Sequence, residues 1–188
     1  MKPRIFLIGY RGAGKTSVAK LLAAKLGWTA VDADVVLEER AGKTIRQIFA
    51  DEGETAFRDL ESAVLADLAQ REKVVVATGG GVVLRPENRE LLKSGTTVWL
   101  ISDAESIWRR LQVDPTTAER RPNLSQGGLA EIVEMLAKRE PLYRECADWS
   151  IDGTHLNSHQ LAEKIGAWLP APLSPLGRGP GGEERERC

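Results

Sequence analysis

The stretch GYRGAGKT, Gly9 to Thr16, constrains this chain more than any other. It reads G-x-x-x-x-G-K-T and lies between an apolar run, Ile5 to Ile8, and the helical pattern KTSVAKLLAAKL. A strand, a glycine-rich loop and a helix in that order are the setting of a phosphate-binding loop. Glycines let the backbone wrap an anion with its N–H groups turned inward. The following helix presents its N-terminus to the same anion. Gly12, Ala13, Gly14, Lys15, Thr16 and Ser17 are therefore expected to hold a nucleoside triphosphate. Lys15 supplies a mobile charge to the β- and γ-phosphates, and the Thr16 hydroxyl can ligate Mg²⁺. The plain alternative is a glycine turn that merely joins strand to helix. No N-K-x-D guanine signature follows, which disfavours a GTPase. LSQGG, Leu124 to Gly128, is scrambled relative to a transporter-ATPase signature and reads as loop composition.

The rest of the chain repeats the strand-then-helix theme. IFLIG, TAVDA, VVVAT, TVWLI and DWSI read as five strands. Between them lie the helical patterns DVVLEERA, TIRQIFADEG, ETAFRDLESAVLADLAQ, PENRELLKS and AESIWRRLQ. In the third of these, Phe57, Leu60, Val64, Leu65 and Leu68 recur at helical spacing. Such alternation predicts an α/β fold, a parallel sheet covered by helices on both faces. Val113 to Gly128 is weakly patterned and long enough for an unstructured connection to be functional or disordered. LAEIVEMLAKRE follows, and Pro141 is expected to break or restart that helix. A last helix is expected over Asn157 to Trp168. Four of the nine prolines fall after Leu169, so residues 170–188 are expected to be a disordered tail on a single domain of residues 1–169.

Composition bears on partners. Lys and Arg number 26 against 27 Asp and Glu, a balance that gives no support to nucleic-acid binding. Cys146 and Cys188 form no disulfide framework and suit a reducing cytoplasm. The apolar run near the start is too short for a signal peptide, and none is long enough to cross a membrane.

Three further patterns bear on chemistry. VDAD places Asp32 and Asp34 at the end of a predicted strand, where alternation would point both the same way. Like charges that close need a cation or a proton to accept. The end of VVVAT, where many such proteins carry a metal-binding acid, is Thr78, which leaves Asp32 as the candidate metal ligand beside Thr16. The plain alternative makes both acids helix caps, with Asp34 capping the helix that follows. Gly79, Gly80 and Gly81 follow Thr78 and would let backbone amides approach a small ligand closely, or form a flexible turn before Pro86. Arg58 and Glu61 share a helix face and read, taken alone, as a surface ion pair.

Taken in order, GYRGAGKTS, Asp32-x-Asp34, F-R-x-x-E at Phe57 to Glu61, TGGG, Arg121-Pro122 and K-R-x-P-L-Y at Lys138 to Tyr143 resemble a shikimate kinase, from about Arg4 to Trp168. The resemblance implies a three-layer, P-loop, nucleoside-monophosphate-kinase-like fold. It implies a five-stranded parallel sheet, a substrate-binding helical segment at about 33–61 and a mobile lid at about 113–127. The implied reaction is MgATP-dependent phosphorylation of the shikimate 3-hydroxyl in aromatic amino-acid biosynthesis. By the same resemblance, Asp34 contacts the reacting hydroxyl, Arg58 and Arg139 hold the carboxylate, and Gly79 to Gly81 line the acceptor pocket. Arg121 belongs to the lid and reaches ATP, with Lys15 and Asp34 completing the catalytic set. Arg110 stacks on adenine, and Asn157 and Ser158 lie near it. The expected partners are ATP and shikimate, with no nucleic acid or membrane, for a cytoplasmic monomer.

Two departures and two rivals accompany that reading. The lid reads Arg121-Pro122-Asn123-Leu124 where the family often has R-P-L-L, and the adenine loop DGTHLNS matches poorly. His155 and His159 are spaced for a metal but lack an evident third ligand, so they read as exposed residues at a helix start. The five tryptophans are scattered and read as packing. The rivals are another small-metabolite kinase of the same fold, such as a gluconate kinase, and an inactive nucleotide-binding module. The first usually carries His-Pro after the acid pair, whereas Val35-Val36 follow Asp34 here.

Overall fold

β1, Arg4–Ile8, is buried along its whole length, and its side chains divide between two cores. Phe6 and Ile8 join one core, Ile5 and Leu7 the other, as period-two alternation requires. A strand buried on both faces belongs at the centre of a parallel sheet. The computed structural model, which describes residues 3–113 and 128–169, has a five-stranded parallel sheet in the order β2-β3-β1-β4-β5. The other strands are β2 Thr29–Asp32, β3 Val74–Ala77, β4 Thr96–Ile101 and β5 Trp149–Asp152. All five match the predicted runs to within a residue or two.

The first core packs β1, β3 and β4 against α2 Ala33–Ala41, α3 Ile45–Asp51, α4 Gly53–Leu68, α5 Pro86–Leu92 and the last turns of α7 Gly128–Cys146. The second packs the opposite face against α1 Lys15–Leu26 and α8 Ser158–Trp168. α6, Ala104–Val113, joins the upper part of α7 in a smaller cluster with Tyr10, Ile107 and Ile132. This is the expected three-layer arrangement. Its helix ends carry local signals. Thr44 with Gln47 caps α3, and Asn157 with Gln160 caps α8, each by a reciprocal capping box. Four of the five tryptophans pack: Trp149 stacks on Trp168 at 4.9 Å, Trp99 on Tyr143 at 5.7 Å, and Trp28 lies against the second core, whereas Trp108 is exposed.

Pro141 does not break its helix, because α7 runs unbroken across it. Pro141 and Ala137, whose carbonyl loses its partner to the proline, are both exposed, so water can serve that oxygen. Arg139, Tyr143 and Cys146 are buried on the other side and hold both halves of the helix against the core. Tertiary packing here outweighs local preference.

The sheet order positions the site. From β1 the chain crosses over β3 to reach β2, whereas from β3 it crosses over β1 to reach β4. The connections leaving these two adjacent strands run in opposite directions, which opens a crevice at their C-terminal ends. The phosphate loop leaves β1 there, and the glycine run leaves β3. The tail, residues 170–188, and nearly all of the expected lid lie outside the described residues.

Candidate active site

The loop from Gly9 to Gly14 begins where β1 ends. A Cβ on Gly9 would sit 2.5 Å from the Leu100 carbonyl oxygen, so no side chain fits. Gly14, at φ 89°, makes the left-handed entry to α1. Lys15 is buried, and its Nζ donates to the carbonyls of Gly9 and Tyr10, both at 2.8 Å. The loop thus holds its own lysine over its mouth.

The acid pair is built differently from a strand alternation. β2 ends at Asp32, and Asp34 already lies in the first turn of α2. Asp32, not Asp34, caps that helix: its Oδ1 accepts from the Asp34 backbone N–H at 3.0 Å. Its Oδ2 accepts from the Thr16 hydroxyl at 2.7 Å. The turn from strand to helix still brings both acids into one cleft of about 570 Å³. Thr78 lines the same cleft, but its hydroxyl donates to the Leu7 carbonyl at 2.9 Å. Its side chain is therefore committed to the sheet. Thr16 and Asp32 remain as the adjacent oxygen donors, a set that fits a hard divalent cation.

The cleft gathers Gly12 to Ser17, Asp32, Asp34, Gly80, Arg110, Asn157 and Ser158. Arg110 crosses it, donating from Nη1 to the Gly12 carbonyl at 3.3 Å and the Ser102 hydroxyl at 3.2 Å, and from Nη2 to the Gly153 carbonyl at 3.2 Å. It ties the phosphate loop to the loop after β5, whose Leu156 and Asn157 form the cleft's far wall. His155 and His159 are both exposed, and no group of three metal-ligating side chains occurs among the described residues.

Gly79, Gly81, Arg58 and Arg139 lie outside that cleft's lining but adjoin it through Gly80. A Cβ on Gly80 would lie 3.1 Å from the Arg11 backbone nitrogen, so the glycine run abuts the phosphate loop. A Cβ on Gly81 would overlap the Arg58 guanidinium. Arg58 is not on the surface. Arg58 and Glu61 are 8% and 5% exposed, and Nη1 donates to Glu61 Oε2 at 2.6 Å while Nη2 reaches Glu54 at 3.1 Å. A buried pair of this kind orients the guanidinium. Arg139 approaches from α7 and donates from Nη1 to the Gly80 carbonyl at 3.3 Å. It is equally buried, its Nε has no hydrogen-bond partner, and among the described residues no carboxylate pairs with it. A buried cation so placed suits an anionic ligand. Arg121 lies outside the described residues.

Sequence reasoning gave no role to Tyr10 or Tyr143, although the latter ends K-R-x-P-L-Y. The Tyr143 hydroxyl donates to the Gly80 carbonyl at 2.5 Å, and the Tyr10 ring lies 5.5 Å under the Arg139 guanidinium.

Comparison with known proteins adds independent support. A family model described as shikimate kinase matches residues 11–170. A curated shikimate kinase of Rhodopirellula baltica is 44% identical over 181 residues, 95% of each chain. That of Nitratidesulfovibrio vulgaris is 46% identical over 152 residues, 80% of this chain and 86% of its own. Among solved structures, shikimate kinase from Acinetobacter baumannii in complex with shikimate aligns with a TM-score of 0.82 at 38% identity. That alignment covers 88% of this chain and 91% of the other.

Proposed function

This chain belongs to the shikimate kinase family, and on that premise we propose that it transfers the γ-phosphoryl group of ATP to the 3-hydroxyl of shikimate. The observation that carries the acceptor side is Arg139, a buried cation beside Gly80 with no described counter-ion, next to the phosphate loop. An acceptor carboxylate held by Arg139 and by Arg58 across the glycine run would bring its ring against Gly79 to Gly81. Its hydroxyl would then face Asp34. Asp34 orients that hydroxyl and takes its proton as the new O–P bond forms and the bond to the β-phosphate oxygen breaks, releasing ADP.

Lys15 leaves the loop carbonyls for the transferring phosphate, whose charge it offsets. Thr16 and Asp32 would hold Mg²⁺, which screens phosphate charge when bound. Arg110, Asn157 and Ser158 form the base end, and Arg121 is assigned to the phosphates from its motif. We take the chain to act as a monomer. A cytoplasmic location suits the free thiol of Cys146. Among the described residues no helix is long and apolar enough to cross a membrane.

A coupled ADP-release assay with shikimate, gluconate or no acceptor tests the assignment. Turnover is expected with shikimate alone. Equal turnover with gluconate, or ADP release independent of acceptor, would overturn it.

A further inference from the structure

Tyr10 occupies an x position of the G-x-x-x-x-G-K-T pattern, which prescribes no side chain there, yet its ring is buried at 5% exposure rather than turned to solvent. It packs with Ile107 of α6 and Ile132 of α7. The Arg139 guanidinium sits 5.5 Å from its ring centroid, within the range at which an aromatic face attracts a cation. The remaining support for that guanidinium among the described residues is slight: a long bond to the Gly80 carbonyl, which Tyr143 also occupies at 2.5 Å. The same Tyr10 accepts Lys15 Nζ on its backbone carbonyl. One loop residue therefore touches the phosphate-side cation through its backbone and the acceptor-side cation through its ring.

We propose that Tyr10 is a positioning residue for acceptor recognition, its ring setting the plane in which Arg139 meets the acceptor carboxylate. The proposal rests on the assignment of Arg139 to that carboxylate. A guanidinium presents its paired N–H groups in one plane, so bidentate binding depends on how that plane is held. Only the aromatic face supplies the attraction. An aliphatic side chain of similar size keeps the apolar contacts with Ile107 and Ile132 but lets the guanidinium tilt.

The test is a double-mutant cycle on the full chain, with KM for shikimate, KM for ATP and kcat read separately. Tyr10→Leu should raise the shikimate KM about three- to tenfold, with the ATP KM changed less than about twofold. Tyr10→Phe, which keeps the ring, should restore it. In an Arg139→Ala background, Tyr10→Leu should add little, because the group it steers is gone. Circular dichroism melts and binding of a non-hydrolysable ATP analogue report whether the loop still folds. If Arg139→Ala raises the shikimate KM and Tyr10→Leu does not, the positioning role is overturned while the Arg139 assignment stands. It is also overturned if Tyr10→Leu raises both KM values alike in both backgrounds, the signature of a damaged loop. If Arg139→Ala leaves the shikimate KM unchanged, the Arg139 assignment fails and the proposal falls with it.

Discussion

Asp32 serves two neighbours at once, capping α2 with one carboxylate oxygen and receiving Thr16 on the other. Substitution separates the roles. Asparagine is as good an N-cap as aspartate, so Asp32→Asn should melt within a degree or two of the wild type. With the charge gone, the Mg²⁺ concentration for half-maximal rate should rise, measured by titrating the metal at fixed ATP. Asp34 has no cap to lose, and Asp34→Asn should cut kcat by about 10²–10⁴-fold with ATP affinity little changed. Near-normal kcat in that variant would remove Asp34 from the chemistry. Gly81 offers a subtler probe. Its φ of −101° is open to alanine, so the backbone is not strained. The added methyl must instead displace the Arg58 guanidinium that Glu61 and Glu54 hold. Gly81→Ala should raise the shikimate KM about tenfold, the value of one charged hydrogen bond, and leave the ATP KM alone.

Among the elements, the strands and most helices were legible because their burial follows simple periods, as in α4, where Phe57, Val64, Leu65 and Leu68 are all buried. Pro141 was misread for a reason no local rule contains: what keeps α7 continuous is the burial of Arg139, Tyr143 and Cys146 against distant strands. Cys146 tests that packing. Burial foremost, with the adjacent Glu145 carboxylate, pushes its thiol up from 9.0 to about 11. The folded chain therefore keeps the thiol proton where the unfolded chain loses it. This contribution to stability is complete below about pH 9 and is lost as pH rises through about 11. At pH 8 a disulfide exchange reagent should label Cys146 far more slowly in the native protein than in denaturant. Equal rates would show that the end of α7 opens freely. The segment before α7 bears Arg121, and Arg121→Ala should lower kcat strongly while shikimate affinity, read by calorimetry, stays within a few-fold. An unchanged kcat would shift the role to Arg120, the arginine that precedes it in the sequence.

At the scale of the whole molecule, truncation after Leu169 should leave kinetics and melting temperature nearly unchanged, since residues 170–188 are too poor in apolar side chains to offset the entropy of ordering. A large fall in melting temperature would show that the tail docks. The loop geometry was legible in the sequence because Gly9 to Ser17 are contiguous and their order alone implies it. The residues proposed for the acceptor were legible only as far as their motifs reach. Tyr143 and Gly80 are 63 residues apart, and Tyr10 meets Arg139 across an even longer span, so nothing local announces either contact. The abutment of Gly80 on the phosphate loop also bears on inhibitor design. A Cβ at Gly80 would come within 3.1 Å of the Arg11 nitrogen, so the glycine lets the acceptor side adjoin the phosphate loop backbone to backbone. A carboxylated ring joined by a short tether to a polyphosphate mimic would offer one anionic end to Arg139 and the other to the phosphate loop. The second binding event would then proceed at an effective concentration on the order of millimolar or above. Such a compound would compete with both substrates at once, and resistance by inserting a side chain at Gly80 would press on the phosphate loop that the enzyme itself needs.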